Sequence, residues 1–197
     1  LKEKSSNYEI RRIKQLYPWF CEATVGLDIH ALPKPGGVMV LDIKGKAREL
    51  KKISETIRAP IRIVNVTEVQ TGVPLGFFYG GLENDISVIE VETARNLTKA
   101  GGKTAVSTTM DFLFPSKKYK EETYTVFEAL RFPDISFRLP KVFRNFEKIA
   151  EGQLLATNGT TVIRAPKDCF ALFTRKRKRY TDPKDLMTEV LFLATKG

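Results

Sequence analysis

The chain has 197 residues, 42% of them hydrophobic, and 33 Lys and Arg against 23 Asp and Glu give a formal net charge of +10. That hydrophobic share excludes a disordered chain and suits one large domain or two small ones, while no apolar run reaches the roughly 18 residues of a membrane-spanning helix. Cys21 and Cys169 form no CxxC or Cys/His spacing, which excludes a disulfide scaffold and a structural zinc knuckle. Together with a charged start that lacks a signal-peptide core, this points to the cytoplasm.

Ile10, Ile13, Leu16, Tyr17, Phe20 and Cys21 recur at helical spacing and predict a helix over 8–23, bent or ended near Tyr17 by Pro18. Residues 24–30 predict a strand that ends in polar chemistry. A Pro/Gly loop covers 31–37, a second strand 38–43, and a helix 47–57 with Leu50, Ile53 and Ile57 on one face. Beyond Pro60 the β-branched stretch 61–66 predicts a third strand. The glycine- and aromatic-rich run 71–81 reads as a loop; residues 86–92 then read as a strand and 93–100 as a helix. Strands alternating with helices imply a parallel or mixed sheet with helices packed on it.

Composition changes near Pro115. Short strand candidates follow at 124–130, 135–139, 154–157, 161–164, 169–173 and 187–194, and Asn158-Gly159 between two of them is a hairpin signal. The expected organisation is an α/β portion over 1–118 and a small all-β domain over 119–197. The basic run Arg175 to Arg179 follows the apolar stretch 169–173 and attracts phosphate on any fold. No RRM, KH, zinc-finger or helix-turn-helix signature accompanies it, so a solvated loop is the expectation and nucleic acid an unfavoured partner.

The residues with chemical potential lie where two strands stop being apolar. In the strand at 24–30, Leu27 and Ile29 alternate with Asp28 and His30; in the strand at 86–92, Ile86 and Val88 share a face with Glu90. Ligands of open α/β sheets bind beyond the carboxyl ends of the strands, where a histidine and a glutamate can converge. The plainer alternative is a surface histidine and a solvated carboxylate face formed by Glu90 and Glu92. His30 is the single histidine of the sequence, so a metal site that needs several cannot be completed from these residues alone.

The segment from Leu16-Tyr17-Pro18-Trp19-Phe20 through Gly26-Leu27-Asp28-Ile29-His30 resembles the helix and Asp-Leu-His strand of the succinylglutamate desuccinylase and aspartoacylase family of zinc carboxypeptidase-like enzymes. Val88-Ile89-Glu90-Val91-Glu92 is similar to that family's Ile-Glu-Val strand. Residues 146–156 and 163–168 look like its β-rich C-terminal part. The tail also resembles barrel-sandwich carrier modules, without their modified-lysine turn.

The resemblance implies a zinc-dependent hydrolase of an amide in an N-acyl amino acid or related small, peptide-like substrate. In it His30 matches the later histidine ligand and Glu90 the carboxylate that activates water, with Asp28 a candidate to orient His30. The family's His-x-x-Glu ligand pair and its Asn-Arg substrate element are absent from these 197 residues, and the sequence begins at Leu1 rather than Met. An enzyme whose first ligands precede residue 1 is therefore the leading expectation. A non-catalytic binding or assembly protein of the same fold is the alternative.

Overall fold

The computed structural model describes residues 8–31, 39–44, 48, 52, 54–66, 87–93, 99–115, 119–175, 186 and 189–197. In chain order the elements are α1 (Tyr8–Glu22), β1 (Val25–Ala31), β2 (Met39–Lys44), β3 (Ile61–Val64), β4 (Ser87–Thr93), α2 (Lys99–Leu113), β5 (Glu122–Leu130), β6 (Glu147–Ile149), β7 (Leu154–Thr157), β8 (Val162–Arg164), β9 (Cys169–Leu172) and β10 (Leu191–Lys196). Two compact units divide the chain: Leu1–Pro60 with Pro74–Lys120, and Ile61–Val73 with Glu121–Gly197. No helix among the described residues is long and apolar enough to cross a membrane.

In the first unit β4 lies between β1, which it pairs in parallel, and β2, which it pairs antiparallel. Its central position explains its composition. Both edges of β4 are hydrogen-bonded, and the alternate residues Ile89 and Val91 are completely buried together with Ile57 and Ala59. Leu27 of β1 and Phe112 of α2 pack against that cluster, so one face of the strands is closed by the helix. The Arg58 amide donates to the Asp111 carboxylate at 2.9 Å and the Arg58 guanidinium to the Tyr119 hydroxyl at 3.3 Å.

In the second unit the strand order is β3-β5-β10-β9-β6, with β3 and β5 parallel and the remaining pairs antiparallel. Four successive residues of β10, Leu191 to Ala194, are buried, as expected of a strand covered on both faces. The core around them includes Leu130, Phe137, Leu139, Ile149 and Leu155. β7 and β8 form a separate hairpin. Its turn follows the Asn-Gly signal: Gly159 has φ +101°, a region that glycine enters without a Cβ penalty, and the Asn158 side-chain oxygen accepts from the amides of Thr160 and Thr161 at 3.1 and 2.7 Å.

Mixed α/β architecture agrees with the sequence, but several elements differ. α1 (Tyr8–Glu22) occupies the helix expected over 8–23, and Pro18, on an exposed side, does not end it. Where a helix is expected at 93–100, Thr93 belongs to β4, 94–98 lie outside the described residues, and α2 runs over Lys99–Leu113. Gly101-Gly102 and its Thr, Ser and Val residues are weak helix formers, so its propensity is unremarkable and packing on β1 and β4 stabilises it. Residues 135–139 form no strand, only an isolated bridge between Arg138 and Thr157. The Asp134 carboxylate accepts from the Ser136 amide at 2.7 Å, a turn that competes with extension. The predicted loop at 71–81 lies outside the described residues, as do 47, 49–51 and 53 of the predicted helix at 47–57; of that helix Arg48, Lys52 and Ser54 are helical and 55–56 form a turn.

Candidate functional site

β1 and β4 run in parallel with Asp28 opposite Glu90 and His30 opposite Glu92. Residues opposite one another share a face, as do residues two apart along a strand. The register therefore puts Asp28, His30, Glu90 and Glu92 on one face of the pair, Asp28 and Glu90 midway along the strands and His30 and Glu92 near their carboxyl ends. β2 continues it, with Leu41 opposite Glu90 and Met39 opposite Glu92. The alternate positions Leu27, Ile89 and Val91 belong to the opposite, core face. The same alternation that builds the core collects the titratable residues on its other side.

Asp28 lies beside the histidine. Nε2 of His30 lies 3.2 Å from Oδ2 of Asp28, with side-chain exposures of 45% and 17%. When an imidazole donates its Nε2–H to a carboxylate, the lone pair of the neutral ring is at Nδ1, and the ring's orientation is held by the partner. This is the arrangement a histidine needs to serve as a metal ligand. Among the described residues, however, no three His, Cys, Asp or Glu side chains are grouped closely enough to hold a metal ion. The described residues thus fit one position of a metal site, a single oriented imidazole, and do not assemble a full ligand set.

The structure brings His30 and Glu90 to adjacent strands on one face. It also adds Glu92, which sequence patterning grouped with Glu90 as a solvated face; only the pairing register places it opposite His30. The basic run lies outside the described residues except for Arg175, whose Nε donates to the Glu189 carbonyl at 2.8 Å. That bond ties Arg175 to the chain before β10. An open depression of about 620 Å³ is lined by Lys141, Val142, Arg144, Asn145, Phe146 and Glu147, and none of the predicted site residues borders it.

Neither a family model nor a curated protein matches this sequence. Solved structures do. Succinylglutamate desuccinylase from Vibrio cholerae superposes with a TM-score of 0.66 at 14% identity, over 99% of this chain and 62% of its own. The ectoine utilization protein EutE (DoeB) from Ruegeria pomeroyi gives 0.58 at 11% identity, over 98% of this chain and 65% of its own. An aspartoacylase family protein from Mesorhizobium loti gives 0.54 at 15%, over 87% and 56%. This chain therefore has the fold of the succinylglutamate desuccinylase and aspartoacylase-family structures, and it spans about 62% of the length of the Vibrio cholerae enzyme.

Proposed function

We propose that the protein is a zinc-dependent hydrolase that cleaves an amide bond in an N-acyl amino acid or a related small substrate. The observation that supports it is the placement of His30, beside Asp28 near the carboxyl end of β1, and of Glu90, midway along the parallel β4, on one face of the pair, in a fold shared with desuccinylase structures. Zinc, when bound, supplies Lewis-acid activation of water and of the amide carbonyl. His30 would be one of the protein ligands to such an ion, and Asp28 would hold its ring in place. Glu90 accepts a proton from the attacking water and delivers it to the departing amine nitrogen.

The His-x-x-Glu ligands of this chemistry do not occur in the 197 residues; in this reading they come from chain beyond them. The positive charge of the protein suits an anionic acyl-amino-acid substrate. The test is amine release from a panel of N-acetyl and N-succinyl amino acids by the full-length protein. Glu90→Gln should abolish hydrolysis while zinc remains bound, and activity retained in that variant rejects the assigned role. A second reading, a non-catalytic binding protein of the same fold, draws on the single histidine and on the missing three-ligand group among the described residues. It predicts binding of such compounds without turnover.

A further inference from the structure

The turn between β7 and β8 brings together the reacting groups of an intramolecular acyl transfer. A glycine that follows an asparagine has no Cβ to keep its backbone nitrogen away from the asparagine carboxamide, and the two can close a five-membered ring. In that reaction the Gly159 nitrogen gives up its proton and bonds to Cγ of Asn158. The Cγ–Nδ2 bond breaks, and ammonia leaves with the proton. Water then opens the succinimide at either carbonyl, which yields aspartate or, with the main chain rerouted through Cβ and Cγ, isoaspartate. Gly159 to Val162 are exposed and Asn158 is half-buried, so water reaches the turn.

The hairpin treats the two reacting groups differently. The Oδ1 of Asn158 accepts from the Thr160 amide at 3.1 Å, the Thr160 hydroxyl at 3.0 Å and the Thr161 amide at 2.7 Å. Donors at a carbonyl oxygen stabilise the negative charge that addition places there, so the carboxamide is polarised for attack. The Gly159 nitrogen, by contrast, is withheld. Its N–H donates to the Thr157 hydroxyl oxygen at 3.0 Å, and it can neither lose that proton nor turn toward Cγ without breaking the bond. Thr157 is itself fixed. Its hydroxyl has one proton and donates it to the Thr161 carbonyl at 2.8 Å, which leaves only lone pairs toward Gly159. The main chain of Thr157 is tied to Arg138 by two further bonds of 2.9 and 3.0 Å.

We propose that Asn158 is a deamidation site that the native hairpin keeps closed, with the Thr157 hydroxyl as its gate. Opening of the hairpin, a local event short of global unfolding, frees the Gly159 nitrogen. Conversion then replaces a neutral amide by a carboxylate, and isoaspartate adds a methylene to the main chain beside the Thr157–Val162 pair. The modified fraction therefore records the time the hairpin has spent open. The proposal is independent of the hydrolase reading.

Peptide mapping by mass spectrometry after incubation at mildly alkaline pH tests it on the full-length protein, with isoaspartate recognised by its enzymatic methylation. Native protein should convert at Asn158 at least ten-fold more slowly than the same protein in concentrated guanidinium chloride. Thr157→Val keeps the β-branched shape that suits a strand and lacks the hydroxyl. It should convert at least ten-fold faster than native protein, with an unchanged circular dichroism spectrum. Thr157→Ser, which keeps the hydroxyl, should stay within about two-fold of native protein. Thr160→Ala removes one donor to Oδ1 and leaves the Thr157 bond, so it should not accelerate conversion. Equal rates in native and unfolded protein, or a folded Thr157→Val no faster than native, overturn the proposal. So does a Thr160→Ala or Thr157→Ser as fast as unfolded protein, which would make general loosening of the turn the control; these two variants decide the matter even where Thr157→Val fails to fold.

Discussion

Replacing Asp28 tests whether the carboxylate beside His30 orients a metal ligand or merely decorates a strand. The carboxylate is 17% exposed and lies 3.2 Å from Nε2. A hydrogen bond to a charged group contributes about 1.5–3 kcal/mol. Here the separation is at the long end of the range and the histidine side chain is 45% exposed, so solvent screening reduces the figure to about 1 kcal/mol. In Asp28→Asn the acceptor survives without its charge, and zinc affinity should fall by about five-fold, the equivalent of 1 kcal/mol. In Asp28→Ala the acceptor is gone and the loss should reach ten-fold or more, as for other partners of metal-bound histidines.

Competition titration against a chromophoric chelator, on full-length protein, measures both variants. NMR supplies a second readout that does not depend on metal: the imidazole nitrogen resonances of His30 are identified by their loss in His30→Ala. The neutral ring should carry its proton on Nε2 in the native protein and lose that preference in Asp28→Ala. An unchanged zinc affinity in Asp28→Ala, or a native ring protonated at Nδ1, refutes the orienting role.

Three further predictions concern the rest of the chain. Gly102 lies inside α2, exposed, with no atom within 4 Å of an added Cβ. Gly102→Ala should therefore stabilise the protein by about 0.5–1 kcal/mol in denaturant unfolding, and a destabilisation would contradict the helical assignment. Burial, with smaller contributions from Glu128 and Asp168, raises the Cys169 thiol above its ordinary value, whereas Cys21 is exposed. A thiol-specific chromophore at neutral pH should label Cys21 in native protein and Cys169 only after unfolding.

The Glu147 carboxyl is held below its ordinary value of 4.5, first by the hydrogen bond from Lys141 and then by that from the Arg144 amide. A carboxyl lowered in the folded state contributes stability above its ordinary value and loses that contribution as pH falls through the folded one. The stability difference between native protein and Glu147→Gln should be present at neutral pH and vanish in acid. A difference independent of pH would contradict the ion pair as its source.

What was legible in the sequence follows from what each signal depends on. The Leu27/Ile29 and Ile89/Val91 alternation is a local consequence of one buried face, so β1 and β4 and their polar partners Asp28, His30 and Glu90 could be read residue by residue. Asn158-Gly159 announced its turn for an equally local reason, since only a few residue pairs suit that backbone. α2 was missed over most of its length because its stability comes from contacts with β1 and β4, while its own residues favour helix weakly. The parallel register that sets Glu90 opposite Asp28 and Glu92 opposite His30 joins segments some sixty residues apart, and no local pattern encodes it. The Asp28–His30 contact lay between these cases: strand alternation put both on one face, and only the side-chain geometry brought them to 3.2 Å.

The zinc content of the full-length protein, and of its His30→Ala and Glu90→Gln variants, tests the central claim most directly. The account predicts one zinc per chain in the native protein, loss of it in His30→Ala, and full retention in Glu90→Gln. Native protein that binds no zinc, or His30→Ala that keeps it, would contradict the account.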